Sequence, residues 1–174
     1  MKTEGELVLR GKRHDINGYH IRDRTWAEVR LEDPVDSPPV SWMGCTFDDD
    51  FAFNCCAIDH PDLNPIWKNH FDAPKNLLLG GWVWRDGEIV SVTSCRKITH
   101  YDEFLRPSSF EFVMTDAKSR EYQVKGKIIA AAPWKTWWNI DTWMCLAEIE
   151  CNGRKGTCDF QDLRWAKFMY AMGQ

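Results

Sequence analysis

Residues 77–97 read Leu77-Leu78-Leu79-Gly80-Gly81-Trp82-Val83-Trp84-Arg85-Asp86-Gly87-Glu88-Ile89-Val90-Ser91-Val92-Thr93-Ser94-Cys95-Arg96-Lys97. Asp86-Gly87 between two β-prone runs is a strong short-hairpin signal. Gly80-Gly81 inside the first run marks a bulge or a close backbone approach. The same grammar extends outward. Val40 to Phe47 and Phe51 to Ile58 are strands joined by Asp48-Asp49-Asp50. Phe110 to Thr115 pairs with Tyr122 to Ala131, and Thr142 to Cys151 with Thr157 to Leu163 around Asn152-Gly153. Glu6 to Arg10 turns at Gly11-Lys12, and Arg24 to Glu32 alternates strictly between two unlike faces. His60 to Asn76 is broken by prolines, so it is a long crossover with a short helical turn, and a lid over a barrel mouth flanked by His60 and His70. Leu163 to Met172 closes the chain as a short helix. Strands at this spacing predict an all-β sandwich or barrel. Closure removes sheet edges, which favours an antiparallel barrel of about nine or ten strands forming a single domain over residues 1–174.

The 174 residues carry 22 Lys+Arg against 26 Asp+Glu, a formal charge of −4. That balance leaves no electrostatic footprint for nucleic acid. No apolar run reaches the ~18 residues of a membrane span, so no membrane insertion is expected. The polar start Met1-Lys2-Thr3-Glu4-Gly5-Glu6 has no signal-peptide core, which predicts a cytoplasmic protein with reduced thiols. Seven cysteines, an odd number without any C-x-x-C, read as small buried hydrophobes. A zinc site from Cys145, Cys151 and Cys158 matches no common ligand spacing, so neither metal nor cofactor is expected. Ten Trp stand out, more than core filling alone asks of a domain this size.

The segment Gly18-Tyr19-His20-Ile21-Arg22-Asp23-Arg24-Thr25-Trp26-Ala27-Glu28-Val29-Arg30 resembles the signature G-x-G-x-R-D-H-S-W-G-x-R of a lipocalin-like superfamily. That superfamily includes carotenoid 1,2-hydratases (hydroxyneurosporene synthases), AttH-like proteins and kievitone hydratases. The tail Asn152-Gly153-Arg154-Lys155-Gly156-Thr157-Cys158-Asp159-Phe160-Gln161 is similar to its closing hairpin. Arg24 stands where the family has His, Ala27 where it has Gly, and Gln161 where it often has an acid. Relatives commonly carry two such halves, and this chain resembles the second alone, so a homodimer is expected to replace the missing half. The resemblance implies a lipocalin-like (calycin) barrel. It also implies a cofactor-independent cyclase, hydratase or related lyase or isomerase acting on an apolar isoprenoid, polycyclic or polyketide-like molecule.

The residues offer groups for that chemistry. Proton transfer to an alkene needs a positioned acid and aromatic walls for the cation. Asp23, His20 and Tyr101 are the candidate proton-handling residues, with Arg22 or Arg30 holding a carbonyl or carboxylate. Arg22, Arg24 and Arg30 so near Asp23 favour its carboxylate, a base or orienting partner over a strong acid. Arg22, Arg24, Trp26, Arg30, Trp82, Trp84 and Trp138 are the candidate substrate-binding residues of an aromatic-lined barrel cavity. His14-Asp15 points to opposite faces of a strand and makes no dyad. Two alternatives remain: a non-catalytic carrier for a hydrophobic small molecule, and a domain whose Trp simply pack.

Overall fold

In the computed structural model, which describes residues 1–23, 38–137 and 139–172, the chain reverses at Asp48-Asp49-Asp50, Asp86-Gly87 and Asn152-Gly153 as expected, and at Arg10-Gly11, one residue before the expected Gly11-Lys12. Strands β1 (Lys2–Leu9) and β2 (Lys12–Tyr19) form a separate two-stranded hairpin. Strands β3 (Val40–Thr46), β4 (Phe51–Ile58), β5 (Leu78–Arg85), β6 (Glu88–Tyr101), β7 (Pro107–Asp116), β8 (Glu121–Trp137), β9 (Ile140–Cys151) and β10 (Arg154–Trp165) then run up and down. Each pairs antiparallel with the next, and β10 returns to pair with β3, closing an eight-stranded barrel. Helix α1 (Ala166–Ala171) ends the chain. The expected all-β antiparallel barrel is therefore present. Of ten strands among the described residues, eight close it and two stand apart. The alternating run Arg24 to Glu32 lies outside the described residues.

Three two-residue turns carry positive φ at both central residues, Arg10 (52°) with Gly11 (76°), Asp86 (54°) with Gly87 (79°) and Asn152 (48°) with Gly153 (85°). This is the geometry that suits the twist of a two-residue hairpin, and it explains why Gly fills the second position. On β5 the expected irregularity is real. The β4–β5 register slips between Cys56 and Ala57, and a Cβ on Gly81 would lie 2.7 Å from the Asn54 carbonyl.

Aromatic rings fill the lumen. Phe53 of β4 meets Phe112 of β7 edge-on at 6.0 Å, and Phe110 of β7 stacks on Phe160 of β10 at 4.5 Å. These strands are not neighbours, so the rings cross the lumen. Met43, Cys45, Cys55, Val83, Met114 and Val124 pack around them, all buried. One end of the barrel is closed by the crossover after β4. There Trp67, in a single 3-10 turn (Pro65–Trp67), is fully buried and lies edge-on to Tyr101 at 5.6 Å.

A candidate ligand groove on the outer wall

Alternation on β5 decides where the Trp pair goes. Val83 is fully buried in the lumen, so Trp82 and Trp84 on either side of it point outward. Trp82 stands between Asn54 of β4 and Ser91 of β6, and Trp84 between Ala52 and Ile89. They form part of the outer wall, half-buried, and do not line the lumen as the sequence reading expected. The lumen is taken by the Phe rings.

What half-buries them is the chain that leaves β2. Residues 19–22 run across the wall as a strap. The Thr46 hydroxyl donates to the Tyr19 carbonyl at 3.5 Å. The His20 backbone N–H donates to the Met1 carbonyl at 2.9 Å, and the Met1 amino group donates to the His20 carbonyl at 2.8 Å. Ile21 settles over Gly44, where an added Cβ would lie 2.9 Å from the Trp42 ring and 3.5 Å from the Ile21 side chain. Between strap and wall lies a groove of about 570 Å³. Trp82, Trp84 and Ile89 supply its apolar surface, Lys2, His20 and Arg22 line it from the hairpin and strap, and Asp48 and Asp49 from the β3–β4 turn.

A smaller recess of about 320 Å³ lies on the other flank of the strap, lined by His20, Ile21, Gly44, Thr157 and Asp159 among others. Burial raises the Asp159 carboxyl above its ordinary range. The Gln161 amide, donating at 3.4 Å, and the nearby His20 imidazole pull it part of the way back. Nothing in the sequence marks Asp159 beyond its place in the tail motif. Ile89 was equally unmarked, because its partner Trp84 could not be placed on a face.

The sequence-predicted residues thus divide. His20, Arg22, Trp82 and Trp84 come together at the groove. Asp23 follows on the strap, exposed, and lines neither recess. Tyr101 is not with them. It ends β6 at the plugged end of the lumen, where its hydroxyl donates to Asp162 Oδ1 at 3.2 Å and burial pushes its phenol well above the usual range. Asp162 also accepts from the Ser41 hydroxyl at 3.3 Å, and the Arg164 guanidinium lies over the Tyr101 ring. That makes Tyr101 part of an internal polar cluster. Arg24, Trp26, Arg30 and Trp138 lie outside the described residues. His14 and Asp15 sit on the exposed hairpin. Among the described residues no three His, Cys, Asp or Glu side chains gather as a metal site, so the Cys145, Cys151 and Cys158 trio is not assembled as one. No helix among them is long and apolar enough to cross a membrane.

Residues 1–167 match the family described as "Domain of unknown function (DUF7064)". No curated protein and no solved structure matches the chain.

Proposed function

We propose that this chain, which belongs to the DUF7064 family, is a binding protein for an apolar aromatic small molecule held between the strap and the outer wall. The observation that carries this reading is the outward Trp82–Trp84 pair. Two large rings on one strand face, only half-covered, leave apolar surface that a flat ligand would remove from water. A few oriented polar groups on the rims complete the pattern of a ligand site. Titration with N-phenyl-1-naphthylamine, read by energy transfer from Trp, tests it. Trp82→Ala or Trp84→Ala should each weaken binding roughly ten-fold while leaving the fold intact, since both rings lie outside the core. Full affinity in the double variant would rule the groove out.

The catalytic alternative is a cofactor-independent cyclase or hydratase for an isoprenoid or polyketide-like substrate. It draws on Asp159 and His20 sharing the smaller recess, a raised acid beside an imidazole. Mass analysis of natural ligands after incubation separates the two: unaltered ligand supports the carrier. The eight-stranded meander is compatible with a lipocalin-like barrel, and kinship with the hydratase superfamily is part of this proposal. A reducing, cytoplasmic setting fits the seven free cysteines.

The expected homodimer is also proposed, on the β8–β9 ribbon. Beyond Lys127, strand β8 pairs with β9 alone, leaving one edge open. Ile129 (50 %) and Trp134 (48 %) on that ribbon, and Leu146 (46 %) beside it, are exposed. An open antiparallel edge is self-complementary across a two-fold axis. Light scattering should show a dimer at micromolar concentration that Trp134→Glu dissociates. A wild-type monomer throughout would remove this surface from consideration.

A further inference from the structure

We infer that the groove selects an anionic aromatic ligand and seats its acid group at Arg22; this rests on the groove being the binding site. Charge is segregated by element, with Lys2, His20 and Arg22 on the hairpin and strap and Asp48 and Asp49 on the β3–β4 turn. Two of these charges, Lys2 and Asp48, are already engaged. Lys2 pairs with Glu4, and Arg154 pairs with both Asp48 and Asp50. Arg22 makes no hydrogen bond or ion pair among the described residues, and no carboxylate stands against it as Arg154 stands against the acidic rim. A free guanidinium at the end of an aromatic wall is a planar fork that accepts a carboxylate, sulfonate or phenolate while the ring system lies on Trp82 and Trp84. The reverse orientation would bring the acid to Asp48 and Asp49, so the ligand enters one way round. A neutral aromatic gains only the Trp contacts, and a cationic one meets an acidic rim whose Asp48 Arg154 already compensates.

Two probes with one scaffold isolate the charge: 8-anilinonaphthalene-1-sulfonate, and N-phenyl-1-naphthylamine, which lacks the sulfonate. Proflavine serves as the cationic aromatic. Arg22→Gln should weaken the sulfonate about five-fold at low salt and leave the neutral probe unchanged, because an exposed pair contributes modestly and is screened. The wild-type preference should shrink toward that of the variant as salt is raised, and Asp49→Asn should tighten the sulfonate. An equal loss for both probes in Arg22→Gln, or tighter binding of proflavine than of the sulfonate, would overturn the anion selectivity while leaving the groove. Failure of all three probes to bind in a Trp82-dependent way would overturn the groove reading and the selectivity together.

Discussion

Asp59→Ala should destabilise the protein by about 3–5 kcal/mol. Asp59 and Lys97 are an ion pair with both side chains almost wholly buried. The carboxylate also accepts from Asn64 Nδ2 at 2.9 Å, Trp67 Nε1 at 3.1 Å, the Thr99 backbone N–H at 3.2 Å and the Thr99 hydroxyl at 3.1 Å. Asn64 and Trp67 belong to the crossover, so one carboxylate fastens the plug to β6 and seals that end of the lumen. Alanine would strand a buried ammonium and several donors at once. Adding Lys97→Met to Asp59→Ala should recover part of the loss, because it removes the uncompensated charge. Urea denaturation measures both, and a loss under 1 kcal/mol for Asp59→Ala would show that the plug is held by packing alone. The crossover foreseen as a lid is, on this geometry, a fastened stopper.

Asp116→Ala should cost about 2–4 kcal/mol, and the cost should depend on pH. Asp116 is buried at the β7–β8 turn and accepts from the Lys118 and Arg120 backbone N–H groups at 2.8 and 3.0 Å. Arg120 Nε at 2.6 Å and the Tyr122 hydroxyl at 3.0 Å complete its shell. Burial pushes the carboxyl up, but the bonds from Arg120, Tyr122 and Lys118 outweigh it and hold it below the ordinary range. A folded-state value below the unfolded one means that the stabilisation is fully present above the unfolded value, near pH 4. It is lost as pH falls through the lower, folded value. The stability gap between wild type and Asp116→Ala should therefore be constant from pH 7 to about 5 and narrow below about 4. A gap that widens on acidification would contradict the stated cause.

The barrel was legible because its turns are spelled in residues that few other conformations favour. Asp86-Gly87 and Asn152-Gly153 sit at positive φ, and the prolines of the crossover interrupt any ladder. The face of the Trp pair was not legible. A period of two says that Trp82 and Trp84 share a side, not which side. The choice is made by Phe53, Phe110, Phe112 and Phe160, which leave the lumen no room for indoles, and by the small inward Gly81 and Val83. Tyr101 misleads for a related reason. Strand β6 continues inward through Lys97, Thr99 and Tyr101, polar residues that an apolar alternation cannot register, so its end reads as a loop. These side chains turn inward to meet Asp59, just after β4, and Asp162 of β10, information that no local pattern holds.

The proposed site is an outer groove roofed by the strap, not a barrel cavity, and the ten Trp need no common role. Trp67 stops one end of the lumen, Trp143 packs against the core and Trp134 lies on the open ribbon. Among the described residues, Trp82 and Trp84 are the Trp that pave the groove. The direct test is the set of Trp indole N–H resonances in a ¹H–¹⁵N spectrum, assigned by Trp→Phe variants, during titration with N-phenyl-1-naphthylamine. The Trp82 and Trp84 signals should move together and saturably while Trp67 stays fixed. Movement of Trp67 with Trp82 and Trp84 unperturbed would place the ligand inside the barrel and contradict the outer groove.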